Sequence, residues 1–425
     1  MVKNDTIRVY EYGWLVVDEK YGPEGNIVFR KIHFILLAKY LTQNSRCNYY
    51  SIYLDRIKFL NYVGVIKVGN LTIEVLPKTD RHEANEDEWQ KVLLQMLAIS
   101  LDVKAKTTTH ADIILRKHSV LEAYLYLFLQ NAEILLHSGL VKKYRTDTSN
   151  QNALKGKLLF NQQVSKNAVH AERFYVAHQV YDKNNVYNAI IEQTLCCITT
   201  LKVSESLTKQ ASRLLLDFPE CTPQNISSKL FEKLVYDRKT ERYRTTIELA
   251  RIILLNYHPD IKGGSNSILA IMFDMNILWE SYIFRMLSNA SHDPDTKCQV
   301  LPQRSVSFWQ HPDKWSLSLI PDLLVKRDGK ESFVLDTKWK YKSDTSMEDV
   351  RQLYAYGNYF EASRRYLLYP DRRAKKVEKL EGSFYDTVTK NPSTYEKCGL
   401  IFIDLLNQDK TLNLNIGFEI LSELF

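Results

Sequence analysis

The segment PDLLVKRDGKESFVLDTKWK, residues 321–340, strongly limits the structures that the chain can adopt. Two mostly apolar runs flank a turn, and both runs also contain charged residues. The apolar residues fall on odd positions and predict one shared buried face: Leu317, Leu319, Leu323, Val325, Phe333, Leu335 and Trp339. Cross-strand partners share a face, so odd positions must pair with odd positions, and the loop must have an odd number of residues. A three-residue loop, Arg327-Asp328-Gly329, with Gly329 in the left-handed conformation, satisfies this condition.

The same register predicts that Asp322, Asp336 and Lys338 lie together on the even face of the hairpin. Asp336 and Lys338 are two residues apart, so their side chains leave the same side of the strand. Thr337, between them, offers only its main-chain carbonyl there. Divalent-metal nucleases need two or three oxygen ligands on Mg²⁺, and a nearby lysine can hold or deprotonate the attacking water. A solvated hairpin face would explain the same spacing, so the motif alone leaves both interpretations open.

The surrounding sequence favours the metal-site interpretation. Pro321 precedes Asp322, Glu280 lies on a preceding predicted helix, and Gln352 lies on the next one, DVRQLYAYGNYF. In this order the residues resemble the core of the PD-(D/E)xK nucleases. Glu280 is equally well explained as a surface residue of an amphipathic helix, and the role of Gln352 is open as well.

Three regions are predicted along the chain. Residues 1–120 alternate short β-like runs with turns, most clearly in a hairpin around Gly69-Asn70, before helical periodicity begins. Residues 121–265 are mainly helical, and HPDIKGGSNS, residues 258–267, is the predicted linker. Residues 266–425 contain, in this order, a predicted helix, a β-hairpin, a helix and a further strand, which is an α/β layer pattern. The predicted fold class is an α+β N-terminal region, β-rich and then helical, followed by an α/β domain like that of restriction endonucleases.

Composition excludes several classes of protein. The start of the chain lacks the layout of a signal peptide, and its most apolar helical run, VLEAYLYLFLQ, is too short to span a membrane, so a cytoplasmic protein is expected. The six cysteines form no CxxC pair and have no histidine at zinc-ligand spacing. The net charge is +7, while residues 266–425 hold 21 Lys/Arg against 22 Asp/Glu, so the basic excess lies before them. That excess suits nucleic acid or an acidic partner, and equally a solvated face.

The chain resembles the McrC family, the nuclease subunits of McrBC-type systems that restrict DNA carrying 5-methylcytosine. The resemblance runs from about Ile7 to the end and depends on the order of several motifs: YVGVIKVGNLTIEVLPK, LKGKLLF, NNVYNAIIEQTL, FDMNILWESYI, PDLLV, VLDTKWK, QLYAYGNYF and YLLYP. It implies that Asp322, Asp336 and Thr337 hold Mg²⁺, that Lys338 is the catalytic lysine, and that Glu280 is an accessory acidic residue and metal ligand. Gln352 completes the candidate set.

The resemblance also implies the partners. The N-terminal region is expected to bind a hexameric, McrB-like AAA+ GTPase and to stimulate its hydrolysis, while the C-terminal domain cuts double-stranded DNA. The chain contains no G-x-x-x-x-G-K-[ST] phosphate loop, so GTP is expected only on the partner subunit. Two alternatives remain open: an adaptor that activates an AAA+ motor without catalysis, and a DNA repair nuclease acting alone.

Overall fold

The computed structural model of the chain describes residues 5–22, 25–44, 48–77, 86–100, 120–170, 172–201, 203–258, 268–313, 315–327, 331–340, 346–362, 364–371, 377–385, 388–407 and 410–425. Its contacts divide the chain into two compact units, one formed by Met1–Val120 together with Met272–Phe425, the other by Leu121–Ile271. The first and last predicted regions therefore fall in one unit. The three-region division into independent domains stays a prediction, and most of the predicted linker, 259–267, lies outside the described residues.

The N-terminal part of the first unit is rich in short strands. Its elements are β1 (Asp5–Tyr10), β2 (Trp14–Val16), β3 (Lys20–Tyr21), β4 (Ile27–Val28), α1 (Lys31–Gln43), β5 (Tyr50–Tyr53), β6 (Arg56–Phe59), β7 (Tyr62–Val68), β8 (Leu71–Leu76) and α2 (Glu86–Ser100). Strand β8 pairs in parallel with β1 and antiparallel with β7. The predicted hairpin is confirmed: Val68 pairs with Leu71 across Gly69-Asn70, and Gly69 has φ +60°, as a two-residue hairpin turn requires.

The second unit is mainly helical. Its elements are α3 (Val120–His137), β9 (Lys143–Gln151), β10 (Lys157–Leu158), α4 (Phe160–Asn167), β11 (Phe174–Asp182), α5 (Val186–Thr200), α6 (Glu205–Asp217), α7 (Ser228–Glu232), a 3₁₀ turn (Glu241–Tyr243), α8 (Arg244–Asn256), β12 (Tyr257–His258) and β13 (Ile268–Asp274), which runs on into the first unit. Strand β11 pairs antiparallel with both β9 and β10. The Asn185 side chain caps α5 by accepting hydrogen bonds from the N–H groups of Tyr187 and Asn188.

The C-terminal part of the first unit is an α/β layer. Its elements are α9 (Met275–Ser291), β14 (Cys298–Pro302), β15 (Val306–Gln310), β16 (Ser316–Leu319), β17 (Leu323–Arg327), β18 (Glu331–Thr337), α10 (Met347–Tyr359), β19 (Arg364–Pro370), β20 (Val377–Tyr385), β21 (Pro392–Ile403) and α11 (Ile416–Leu424). Six strands form one sheet in the order β14-β17-β18-β19-β21-β20. Helix α10 makes the crossover between β18 and β19, which are parallel neighbours.

The predicted pairing of odd with odd positions in the β17–β18 hairpin is confirmed, but the predicted loop is wrong by one position. Leu323 pairs with Leu335 and Val325 with Phe333, so odd positions pair with odd. Arg327, however, remains in the strand and pairs with Glu331, which leaves 328–330 as the three-residue loop. The Arg327 guanidinium lies 4.5 Å from the ring centroid of Phe425, a contact that favours its place in the strand. Gly329, with its predicted positive φ, lies outside the described residues.

The predicted division into a buried odd face and a non-core even face is also wrong. Leu324 and Val334, on the even face, are buried in a cluster with Leu353 and Tyr356 of α10. Both faces are covered because the hairpin lies inside a six-stranded sheet with helices packed on it. Leu317, predicted to be buried, is 52% exposed, since β16 pairs with β15 in a separate two-stranded ribbon.

The coarse fold class is confirmed: the chain is a mixed α/β protein with a β-rich start followed by helices. The assignment of the C-terminal layer to the PD-(D/E)xK type stays a prediction. Among the described residues, no helix combines the length and the apolar character that a membrane span requires.

Candidate active site

Asp336 and Lys338 lie at the C-terminal end of β18, where the strand leaves the sheet. Asp336 is 1% exposed, and Lys338 Nζ lies 2.7 Å from Asp336 Oδ2. Although this distance is that of an ion pair, no donor among the described residues reaches Oδ2 at a hydrogen-bonding angle. The pair therefore leaves one buried carboxylate oxygen with unused acceptor capacity.

The electrostatics of the pair follow from burial and from a second carboxylate. The pKa of Asp336 is raised to about 7, chiefly by burial and then by the charge of Asp322, while Lys338 partly opposes both effects. Burial lowers the pKa of Lys338, but the carboxylates of Asp336 and Asp322 outweigh it and raise the pKa overall. The lysine is therefore held in its charged form, and the carboxyl group of Asp336 is poised between its two forms near neutral pH.

Asp322 lies just before β17 and contacts the end of β18. Its Oδ2 accepts hydrogen bonds from the main-chain N–H of Thr337 at 2.6 Å and from Thr337 Oγ1 at 2.7 Å. These two bonds join the ends of the neighbouring strands, and the Lys338 N–H, which belongs to the same peptide as the Thr337 carbonyl, donates to the Leu368 carbonyl at 2.9 Å. The Asp322 carboxylate thus contacts Thr337, the residue between Asp336 and Lys338, through its hydroxyl as well as its N–H, whereas the sequence pattern assigned Thr337 only a main-chain carbonyl.

Gln352 of α10 connects the lysine to the helix. Lys338 Nζ donates to Gln352 Oε1 at 3.2 Å, and Gln352 Nε2 donates to the Tyr356 hydroxyl at 2.6 Å. The Tyr356 hydroxyl in turn donates to the Ile320 carbonyl at 2.9 Å. Burial and the charge of Asp336 raise the pKa of Tyr356 to about 12, so this hydroxyl keeps its proton. A continuous chain of hydrogen bonds therefore restrains the lysine head group.

Glu280 of α9 approaches the same cluster through a glutamine. Gln303 Nε2 donates to Glu280 Oε1 at 2.8 Å, while the Gln303 N–H donates to the Asp322 carbonyl at 3.0 Å. Burial raises the pKa of Glu280, and the charge of Asp322 adds to that increase. Glu280 is thus within electrostatic range of the carboxylates, as its predicted accessory role would require.

Trp339, two residues after the end of β18, is held by a hydrogen bond and by a ring contact. Its Nε1 donates to Glu11 Oε1 at 2.7 Å in a buried contact, and its ring meets the Trp279 ring edge-on at 5.5 Å. The N-terminal segment after β1 therefore touches the residue next to Lys338. This contact joins residues 328 positions apart in the sequence.

The few oxygen donors of the candidate site suit a hard divalent cation. Two carboxylates and a main-chain carbonyl are oxygen ligands of the kind Mg²⁺ prefers, and Asp336 Oδ2 is a buried oxygen with capacity left for a ligand. Among the described residues, no three His, Cys, Asp or Glu side chains are arranged to hold a metal ion together. The part predicted for Glu280 as a direct ligand therefore stays a prediction, as do the metal and catalytic roles of the other residues.

All six predicted residues lie in this one neighbourhood, and three further ones were missed. Tyr356 supports Gln352, and its position four residues after Gln352 on one helix was the available signal. Gln303 and Glu11 carry no comparable signal, because each reaches the site from a distant part of the chain.

Comparisons with known proteins agree with this architecture. A family model described as McrBC 5-methylcytosine restriction system component matches residues 57–370, a range that contains all six predicted site residues. A solved structure, the refined half-complex from a tetradecameric assembly of Thermococcus gammatolerans McrB AAA+ hexamers with bound McrC, has a chain that is 21% identical, with a TM-score of 0.65 and 99% coverage of both chains.

A cryo-EM structure of the Thermococcus gammatolerans McrBC complex also matches, at 22% identity and a TM-score of 0.48, covering 66% of this chain and 87% of the other. The search of curated proteins finds no match. At 21% identity the first of these structures supports the fold, and the family model supports membership.

Proposed function

Because the chain belongs to the family of McrBC 5-methylcytosine restriction system components, we propose that it is the DNA-cleaving subunit of such a system. In this proposal it is a Mg²⁺-dependent endonuclease of the PD-(D/E)xK type that acts on modified foreign double-stranded DNA. The observation that carries the proposal is the buried Asp336 carboxylate, which lies 2.7 Å from Lys338 Nζ and close enough to Asp322 for the charge of that second carboxylate to raise its pKa. Two carboxylates gathered at one lysine repel each other in a purely structural site, whereas a divalent cation offsets that repulsion.

In the proposed site, the carboxylates of Asp322 and Asp336 and the Thr337 carbonyl would hold Mg²⁺, with Glu280 as an accessory acid. When bound, the ion lowers the pKa of a water and offsets negative charge on the phosphate. The two hydrogen bonds from Thr337 hold the Asp322 carboxylate at the end of β18. The bond from the Lys338 N–H to the Leu368 carbonyl holds the peptide that carries the Thr337 carbonyl. The buried setting excludes competing water and strengthens each of these interactions.

Lys338 is assigned to position the water and the phosphate. As an ammonium group it donates hydrogen bonds to the water oxygen or to a non-bridging phosphate oxygen, and Gln352 limits where its head group can move. Hydrolysis joins the water oxygen to phosphorus, breaks one phosphate ester bond, and transfers a proton from the water to the departing oxygen. The raised pKa supports the role of a charged donor for Lys338 better than that of a base.

The partner in this proposal is a hexameric McrB-like AAA+ GTPase. One solved assembly of similar fold contains McrB AAA+ hexamers with bound McrC, and we extend that partner class to this chain. The absence of a phosphate-loop motif from the sequence supports placing GTP on the partner alone. In this scheme the chain stimulates GTP hydrolysis by the partner and cuts the DNA itself.

The test is a paired assay of GTP turnover and plasmid cleavage with the reconstituted complex on methylated DNA. Asp336→Asn removes a charged metal ligand with little change of shape, and Lys338→Ala removes the positioning cation. Each should lower cleavage by about a hundredfold or more. Each should leave GTP turnover unchanged, because GTP is proposed to bind only to the partner subunit. The chain alone should hydrolyse no GTP.

Matched controls are Asp295→Asn and Lys326→Ala, which change an exposed aspartate and an exposed lysine of the same unit. Both should cut DNA like the unsubstituted chain. Full cleavage by both site variants would refute the nuclease assignment and favour an adaptor. Loss of GTP turnover in well-folded site variants would refute the separation of the two activities.

A further inference from the structure

An aromatic ribbon projects beside the candidate active site. It consists of β15, β16 and the turn between them, and its sequence, VSFWQHPDKWSLSL, contains three large aromatic residues. Trp309 is 44% exposed and Trp315 51% exposed, with ring centroids 5.0 Å apart. The His311 ring stacks on Trp315 at 5.0 Å with an interplanar angle of 13°. Tryptophan is seldom so exposed in a group, and an exposed aromatic group of this kind marks an interaction surface.

Both ends of the aromatic ribbon are hydrogen-bonded into the candidate site. Gln303, before β15, donates from its main chain to the Asp322 carbonyl and from its side chain to Glu280. Ile320, after β16, accepts the hydrogen bond of Tyr356, which also contacts Gln352. The base of the ribbon therefore borders the candidate site.

A β-bulge steadies the ribbon from one side. Between Ser307 and Trp309 the pairing shifts, so Phe308 has no cross-strand partner and its ring meets the Tyr359 ring of α10 at 5.2 Å. Helix α10 also carries Gln352. The contact leaves the Trp309, His311 and Trp315 group, toward the turn end of the ribbon, on an element supported by α10.

The chemistry of the ribbon suits nucleic acid better than a protein surface. Trp309 and Trp315 share one face of the ribbon, and the exposed residues Ser307, Ser316 and Ser318, whose hydroxyl groups can donate to phosphate oxygens, share the other. Arg304 is exposed at the base, and between residues 303 and 320 the sequence has Arg304 and Lys314 against one carboxylate, Asp313. Every base has a face that can stack on an aromatic ring, so such contacts need no particular sequence.

We infer that the aromatic ribbon binds the DNA next to the scissile phosphate, with the Trp309 and Trp315 rings stacking on bases that are unpaired or unstacked there. This inference rests on the proposed function, because it takes the DNA as the ligand of the site. It adds a specific contact: a wedge that holds the strand in line with the carboxylates. Pairing defects near the cut should therefore favour binding.

The experiment measures DNA binding without cleavage. The full chain, with a chelator present to prevent cutting, is titrated against a fluorescent duplex and against the same duplex with a few unpaired bases, and anisotropy is recorded. Trp309→Ala combined with Trp315→Ala should weaken binding to the second DNA by about tenfold or more, the usual scale for losing stacked aromatic contacts. The corresponding double Phe variant, which keeps the rings, should stay within about threefold of the unsubstituted chain.

A salt titration separates stacking from charge. Because stacking releases few counterions, the loss caused by the double Ala variant should persist as salt increases, whereas the loss caused by Arg304→Ala should shrink. Tyr385→Ala is the matched control, since that ring is 70% exposed at the end of β20, and it should bind DNA normally.

The outcomes distinguish this inference from the proposed function. If the double Ala variant binds both DNAs as tightly as the unsubstituted chain, the inference is overturned, whatever the cleavage assay gives. If the double Ala variant binds DNA normally but loses binding to the AAA+ partner or to a second copy of the chain, the ribbon is a protein interface. The inference is overturned in that case too. If the unsubstituted chain binds no DNA, alone or with its partner, the proposed function falls as well.

Discussion

The buried carboxyl group of Asp336 should make the stability of the metal-free protein depend on pH. Its pKa is about 7 in the folded chain, against an ordinary value of 3.8, because burial and the charge of Asp322 oppose ionisation. Because the pKa of Asp336 is higher in the folded than in the unfolded chain, the contribution of this carboxyl group to the free energy of unfolding is fully present below its unfolded pKa. That contribution is lost as the pH rises through the folded value. Asp336→Asn has no titrating group there and should escape this loss.

The size of the effect follows from the two pKa values. Each unit of difference corresponds to about 1.4 kcal/mol, so a difference of about three units limits the effect to about 4 kcal/mol. Between about pH 5 and about pH 8, linkage removes about 2 to 3 kcal/mol of the free energy of unfolding. The free energy of unfolding of Asp336→Asn, minus that of the unsubstituted chain, should therefore grow by this amount over the same range.

Urea denaturation followed by tryptophan fluorescence, with a chelator present, gives both free energies at each pH. Asp295→Asn, at an exposed position, serves as the control, and its difference should stay constant. Adding Mg²⁺ should reduce the pH dependence of the unsubstituted chain, since a bound cation favours the ionised carboxylate. A difference between Asp336→Asn and the unsubstituted chain that does not change with pH would refute the reasoning, because Asp336 would then not titrate in this range.

Two further predictions concern residues that support the site. Glu11→Leu removes the acceptor of the Trp339 Nε1 hydrogen bond and should lower the free energy of unfolding by about 1 to 3 kcal/mol, with reduced plasmid cleavage. Glu11→Gln keeps an acceptor oxygen and should lose less in the same urea and cleavage assays; equal losses would contradict the assigned contact. Tyr356→Phe removes the hydroxyl that Gln352 contacts and should cost about 1 kcal/mol. Its cleavage should fall less than that of Lys338→Ala, and a larger fall would contradict a purely supporting role.

Local patterns in the sequence determined several elements correctly. The Gly69-Asn70 turn follows from residue types that accept a left-handed backbone, and the observed pairing of Val68 with Leu71 needs nothing more distant. The odd-to-odd pairing of β17 with β18 follows from alternation with period two. The family resemblance, based on the order of motifs along the chain, is confirmed by the family model.

The same local patterns were insufficient where a neighbouring element decides the outcome. Parity requires an odd loop but does not say which residues form it, and the contact of Arg327 with Phe425 favours the observed loop, one residue later than predicted. Alternation predicted a non-core even face, yet α10 covers Leu324 and Val334. An alternating pattern reports the two faces of a strand, and it does not reveal what packs on each of them.

Sequence alone thus identified Asp322, Asp336, Lys338 and their neighbours as one candidate group, because two-residue spacing and strand pairing are short-range properties. Only the tertiary structure decided that Asp336 is buried with a pKa near 7, since desolvation depends on every element packed around it. It also brought Glu11 to Trp339 across 328 positions and joined residues 1–120 with 272–425 in one unit. Contacts between distant segments depend on how whole faces fit together, and no single stretch of sequence records that fit.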